Sequence, residues 1–306
     1  MDIGRLLSFR YKVFSVRDLE RICIIGLGLL GGSISSAIRQ RLPGISVVGY
    51  SHRAATRAKA RALAIAPEVA DELATAVSDA DLVILATPIF TFERYFAEIN
   101  GRVRPDCIVT DVGSTKMLPH RWAAERLTDG GLYIGSHPIA GSEQRGVEFA
   151  RDDLFVDARC ILTTDPGVRR DALQALKQFW SGLGCFIETM SPAEHDRVLA
   201  NVSHLPHIIA TGLVNASDPR DMKSAGKGFL DSTRIASGPA NVWTDVLLAN
   251  THNLIEGIDR VLVELSAIKQ ALEAEDRRAI EALLEGARKK RAALVAYKIK
   301  KKELLS

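Results

Sequence analysis

From residue 21 onward the chain alternates two kinds of hydrophobic pattern. Short β-branched runs bounded by glycine or proline predict strands, and apolar residues recurring every three or four positions predict helices. RICIIG (21–26), ISVVGY (45–50), DLVILATP (81–88), CIVTDVG (107–113) and LYIGS (132–136) read as strands. LLGGSISSAIRQRL (29–42), ATRAKARALA (55–64) and stretches near 91–99 and 116–128 read as the helices between them. Strands and helices alternating at this spacing predict a doubly wound α/β domain on a parallel sheet. Two more apolar runs, ARCILTT (158–164) and CFIETM (185–190), bracket the helical RDALQALKQFWSGLG (170–184) and are expected to extend the same sheet.

After Ser191 the strand signals stop. SPAEHDRVLANVSHLPHIIATGLVNA (191–216) opens with a capping serine and keeps helical periodicity, and residues 240–302 are helical in pattern throughout, in two amphipathic runs. The expected organisation is an extension over residues 1–20, an α/β domain over 21–190 and an all-helical domain over 191–306. Long helices with apolar faces often pair with a symmetry mate, so a homodimer through the helical half is expected.

Composition narrows the function classes. At 306 residues and 47% hydrophobic, the chain is large enough for sizeable cores. Its first twenty residues interleave basic and apolar positions without a small-residue cleavage site, and no apolar run reaches the roughly 18 residues of a membrane span. Cys23, Cys107, Cys160 and Cys185 are far apart and form no CxxC pair, which points to buried reduced thiols in a cytoplasmic protein and to neither a zinc site nor a disulfide framework. Net charge is only +3, concentrated in the C-terminal ARKKRAALVAYKIKKKELLS. Without aromatic interleaving that tail reads as a solvated helix face rather than a nucleic-acid or membrane surface.

The first strand runs directly into Gly26-Leu-Gly28-Leu29-Leu30-Gly31, a dinucleotide-binding fingerprint in its proper strand–turn–helix setting, as in Rossmann-type sheets. Gly26 permits the tight turn, Gly28 allows close approach of a pyrophosphate, and Gly31 allows helix and strand to pack. The phosphates are expected at the helix N-terminus, where unpaired N–H groups and the helix dipole favour negative charge. Thr87 and Pro88 follow a later strand, and Asp111 and Gly113 end another; all four are expected on the cofactor side. The second strand ends in Ser51-His52-Arg53, where an NAD-binding chain would carry an acid for the ribose 2′-hydroxyl. A guanidinium in place of that acid favours NADP over NAD; the alternative is that Arg53 merely caps the next helix in solvent.

Three further stretches fall at strand ends or in the helical half: TDVGSTK (110–116), GSHPIAGSE (135–143) and GFLDSTRIA (228–236). Ligands bind at the carboxyl ends of strands in open α/β sheets, which places Ser114 and His137 well for chemistry. Ser114 also stands where the N-cap of the following helix is expected. GSHPIAGSE reads as a loop, with Pro138 holding His137 in extended geometry. His204 and His207 lie three apart beside Pro206 without carboxylate or cysteine company, so no metal site is expected.

GLGLLGGS, ATP, DVGSTK, SHPIAGSE, VSHLPH and FLDSTRIA occur in this order, and over about residues 21–300 the chain resembles the prephenate/arogenate (cyclohexadienyl) dehydrogenases of tyrosine biosynthesis. The resemblance implies a Rossmann-type domain followed by a helical dimerisation domain with the active site between them. The implied reaction is oxidative decarboxylation of prephenate or L-arogenate, giving 4-hydroxyphenylpyruvate or L-tyrosine. It further implies that His137 accepts the hydrogen bond of the ring hydroxyl, that Ser114 helps hold that group beside the nicotinamide, and that Arg234 binds a substrate carboxylate. His207 would contact the side-chain end, His204 would stand near it, and Glu143, Asp231 and Trp243 match positions near the pocket mouth or dimer contact. Hydride leaves the ring carbinol carbon while its hydroxyl loses a proton, so the site needs a proton acceptor and a cation for carboxylate; a neutral imidazole and an arginine supply them. Two other readings stand beside this one: a β-hydroxyacid-type dehydrogenase, for which Lys223 and Lys227 are weak acid/base candidates, and a non-catalytic NADP-binding sensor.

Overall fold

The computed structural model describes residues 19–140 and 146–300. Glu143, most of the expected N-terminal extension and the last six residues of the basic tail lie outside the described residues. The chain forms two compact units, one ending at Thr251 and one beginning at His252.

In the first unit, strands β1 (Arg21–Ile25), β2 (Ser46–Tyr50), β3 (Glu68–Val69), β4 (Leu82–Leu85), β5 (Ile108–Asp111) and β6 (Leu132–Tyr133) form one six-stranded parallel sheet. Its order is β3-β2-β1-β4-β5-β6, the doubly wound order whose direction reverses between β1 and β4. Helices α1 (Leu29–Arg41), α2 (Ala54–Ala62), α3 (Leu73–Val77), α4 (Phe92–Ile99) and α5 (Met117–Arg126) connect the strands. Every second residue of a strand faces the same side, and the two faces carry separate cores. Ile22, Ile24, Leu82, Ile84 and Ile108 pack with α1 on one side. Cys23, Ile25, Val83, Leu85 and Val109 pack with Phe92, Tyr95, Phe96 and Trp122 on the other.

Two of the strand expectations need correction. LYIGS is not one strand, and the two later runs do not extend the parallel sheet. The chain passes from β6 through Ile134 into β7 (Gly135–Ile139), which pairs antiparallel with β8 (Arg159–Thr163); β8 pairs parallel with β9 (Phe186–Met190), giving a separate three-stranded sheet. The physical reason lies in β5, which ends at Asp111. Ile134 still donates to the Val109 carbonyl, but Ser136 has no strand backbone left to bond and donates to the Asp111 side chain instead. GSHPI is therefore an edge strand rather than a loop, and Pro138, which lacks an N–H, is tolerated there. Helix α6 (Arg170–Gly182) joins this sheet to the first core through Leu176, Phe179 and Trp180.

The helical part follows as α7 (Pro192–Leu199), α8 (Leu205–Ala216), α9 (Pro219–Met222), α10 (Lys227–Thr233) and α11 (Ala240–Ala249). Ser191 caps α7 as expected, accepting from the Glu194 N–H at 3.2 Å. Ala200–His204 form a π-helical turn between α7 and α8. The second unit consists of α12, which begins at Thr251 and runs to Glu273, and α13 (Arg277–Lys300). The four cysteines are buried and unpaired.

Candidate active site

The first half of the site lies at the C-terminal ends of β1 and β4, on either side of the point where the strand order reverses. Gly26 has φ of +106°, and a Cβ there would sit 2.5 Å from the Ala86 carbonyl oxygen, so both its conformation and its neighbour exclude other residues. A Cβ at Gly31 would overlap the Gly26 carbonyl, which lets α1 begin directly against the turn. Gly28 is the N-cap of α1, has no side-chain capping bond and faces open space. The N–H groups of Leu29, Leu30 and Gly31 belong to the first turn, which has no helical acceptor for them, and are donors of the kind that bind a pyrophosphate. Across the gap, Thr87 bonds the Thr91 hydroxyl at 2.7 Å and Pro88 starts a short 3-10 turn.

At the end of β2, Ser51 is buried and its carbonyl accepts from Arg57 Nη1 at 2.7 Å, while His52 and Arg53 are exposed. Arg53 occupies the N-cap position of α2 without a side-chain capping bond. Arg57, which bonds the Ser51 carbonyl, is also paired with Asp71, and its hydrogen bond and that of Arg61 hold the Asp71 carboxyl below the usual range.

Asp111, expected among the cofactor-side residues, is fully buried. Its carboxylate accepts from Lys116 Nζ at 2.5 Å, Gly113 N at 2.8 Å, the Tyr133 hydroxyl at 2.9 Å and Ser136 N at 3.2 Å. Lys116, fully buried as well, also donates to the Gly113 carbonyl at 2.7 Å. This ion pair shapes the turn that carries Ser114, which is half-buried. Ser114 is not the cap of α5. The first two N–H groups, of Lys116 and Met117, are taken by the carboxylate of Asp196 on α7, at 2.7 and 2.9 Å.

That carboxylate leads to His137. His195 Nδ1 lies 2.8 Å from Asp196 Oδ1, and His195 Nε2 lies 2.9 Å from His137 Nδ1. Sequence reasoning singled out His137 but not His195, Asp196 or Lys116, which belong to elements far apart in the chain. Burial pushes the His137 imidazole well below its ordinary value, with neighbouring His195 and Lys116 acting the same way. His195 is pushed down to about 2, chiefly by burial. In both rings burial favours the neutral form. Among the described residues no hydrogen bond joins Ser114 to His137.

The π-helical turn and α8 bring in the other two expected histidines. Asn250 donates to the Asp196 carbonyl at 2.8 Å and stands 3.2 Å from His204 Nδ1. Its amide nitrogen can only donate, so His204 carries its proton on Nε2. His204 is pushed down to about 4 by burial. His207 stacks on Trp243 with ring centroids 3.6 Å apart and planes 9° from parallel. His204 Nε2 and His207 Nδ1 are buried and have no hydrogen-bond partner among the described residues. Arg234 starts the short 3-10 turn after α10; it and Asp231 are exposed.

A nucleotide crevice, a neutral buried imidazole and two buried ring nitrogens left open form one candidate site in the first unit. Residues 34–189 match the family described as prephenate dehydrogenase, nucleotide-binding domain, and residues 191–286 match prephenate dehydrogenase, dimerization domain. The chain belongs to the prephenate dehydrogenase family. Cyclohexadienyl dehydrogenase of Zymomonas mobilis is 32% identical over 286 residues, covering 91% of this chain and 96% of that one. Prephenate dehydrogenase of Bacillus subtilis is 34% identical over 264 residues, covering 84% and 71%. The crystal structure of A. aeolicus prephenate dehydrogenase with hydroxyphenyl propionate and NAD+ superposes with a TM-score of 0.82 at 30% identity, covering 90% of this chain and 98% of that one. Membership makes this chain a nicotinamide-dependent oxidoreductase of the tyrosine-pathway dehydrogenase kind, with a Rossmann-type domain followed by a helical one. Among the described residues no helix is long and apolar enough to cross a membrane, and no cluster of His, Cys, Asp or Glu could hold a metal ion.

Proposed function

We propose that this protein catalyses the NADP-dependent oxidative decarboxylation of prephenate, L-arogenate or both, in the cytoplasm. The observation that carries the reading is His137: a buried, neutral imidazole whose Nδ1 is engaged by protein, leaving Nε2 for a substrate hydroxyl. When bound, the nicotinamide supplies the hydride acceptor. His137 takes the hydroxyl proton at Nε2 as the carbinol carbon is oxidised, and loss of the ring carboxylate as CO2 aromatises the product. Positioned general bases of this kind contribute about 10²–10⁴-fold. Ser114 holds the hydroxyl in line, and Arg234 binds a carboxylate with its paired donors. His204 Nε2–H and His207 Nδ1, a donor and an acceptor without protein partners, suit a ligand rich in oxygen. By the resemblance Asp231 matches a position near the pocket mouth or dimer contact, and the Trp243 ring stacks flat on His207.

NADP is favoured by the end of β2, where an exposed Arg53 stands in place of an acid and Asp71 is already paired with Arg57 and Arg61. A four-way kinetic assay, two substrates against two cofactors, tests both choices through absorbance near 340 nm. The expected result is turnover with at least one substrate and higher kcat/KM with NADP; a preference for NAD overturns the cofactor choice, and no turnover with either substrate overturns the reaction.

The exposed stripe Leu262, Leu265 and Leu272 on α12, with the match to a dimerisation domain, supports a homodimer through the helical region. Sedimentation equilibrium should return about twice the 33.4 kDa chain mass; a monomer at micromolar concentration contradicts it.

A further inference from the structure

We propose that Asp196 and His195 are positioning residues that fix His137 in a single tautomer, with its proton on Nδ1 and its lone pair on Nε2. The inference rests on the reading of His137 as proton acceptor, and the argument is a count of donors and acceptors. The Asp196 carboxylate receives the Lys116 N–H on Oδ1 and the Met117 N–H on Oδ2. These two bonds and the nearby Lys116 ammonium favour the ionised carboxylate against its burial; an ionised carboxylate has no proton to give, so His195 Nδ1, 2.8 Å from Oδ1, is the donor of that bond. A neutral imidazole carries one proton. With it on Nδ1, His195 presents a lone pair at Nε2, and His137 Nδ1, 2.9 Å away, must donate into it. Nε2 of His137 is then left without a proton, which is the form a base requires.

The surroundings enforce the pattern. His195 is fully buried and Asp196 is 1% exposed, so no bulk water can reverse either bond. The buried Lys116 ammonium disfavours a second proton on either ring. Asn250 anchors the backbone of Asp196 from the opposite side. A base that is free to choose its tautomer spends part of its time with Nε2 protonated and unable to accept; the chain from Asp196 removes that choice. In the serine-protease triad, which the same logic describes, losing the correct tautomer lowers kcat by about 10⁴.

The test is made on the full chain labelled with 15N-histidine, by long-range 1H–15N correlation near neutral pH, with His137 assigned from the spectrum of His137→Asn. The seven histidines make this tractable. The expected spectrum has His137 and His195 each protonated on Nδ1 and bare on Nε2; a proton on His137 Nε2, or a doubly protonated ring, overturns the proposal. Two variants extend the test to turnover. His195→Leu should lower kcat by about 10²-fold or more, with substrate and cofactor KM within about twofold, and should release His137 into mixed tautomers. His195→Gln retains an acceptor for His137 and a donor for Asp196, and should stay within about tenfold of the parent kcat. Wild-type turnover by a folded His195→Leu overturns the proposal; should that variant not fold, the parent spectrum and His195→Gln still decide it. If the parent shows the Nδ1 tautomer yet turns over neither prephenate nor arogenate, the relay stands and the assigned reaction falls.

Discussion

In its proposed role as general base, His137 lies at the junction of two demands. A general base must be neutral to accept a proton and must present a lone pair at one defined position. Burial meets the first, and the side chains of His195 and Asp196 meet the second. Replacing His137 with asparagine keeps a donor facing His195 but removes the acceptor on the substrate side. His137→Asn should therefore lower kcat by about 10²–10⁴-fold, while the dissociation constant for the nicotinamide cofactor, read by fluorescence titration, stays within about twofold, because the glycine fingerprint lies on β1 and α1, away from His137. A variant with near-normal turnover would remove His137 from the role.

At the scale of elements, the sequence carried the parallel sheet well and the second sheet poorly. Each of β1, β2, β4 and β5 carries a short buried run rich in β-branched residues between turn residues, and such runs report themselves. Gly26, Gly28 and Gly31 were legible because a glycine fingerprint is a local constraint on one turn. The split of LYIGS at Ile134 was not, since it depends on where a different strand, β5, runs out at Asp111. The start of α5 failed in the same way. Ser114 is the local candidate for the cap, but the groups that need capping are taken by Asp196, 80 residues away. For the candidate site, His137 stood out by its company in the sequence, while His195 and Asp196 read as ordinary polar positions on the first turns of a capped helix. What joins them to His137 is the packing of α7 on the start of α5, and no local spacing encodes that contact.

For the whole molecule, five buried histidines, all pushed down by burial, set a pH dependence, and three of them are followed below. His137, His195 and His204 all titrate below their ordinary value in the folded protein, mainly through burial. Unfolded, each titrates near 6.5. Above that value neither state takes up protons and the histidines contribute no slope. Below it the unfolded chain binds protons that the folded protein refuses, so stability falls as pH falls. Each imidazole contributes about 1.4 kcal/mol per pH unit until its folded value is reached, about 4 for His204 and about 2 for His195. Between pH 7.5 and 5.5 the three together remove on the order of 4 kcal/mol. Calorimetric melting across that range should show a steady fall in Tm, and a flat Tm would mean that these rings are not held neutral.

The carboxylate of Asp196 has one further consequence. Because it holds both the first turn of α5 and the imidazole of His195, those two are a single thermodynamic unit: whatever frays the helix start also loosens the base. The backbone amides of Lys116 and Met117 thereby become gauges of catalytic readiness. On the proposed relay, their hydrogen-exchange rates, read with no substrate present, follow how often the Asp196 carboxylate releases the helix start and with it the orientation of His195.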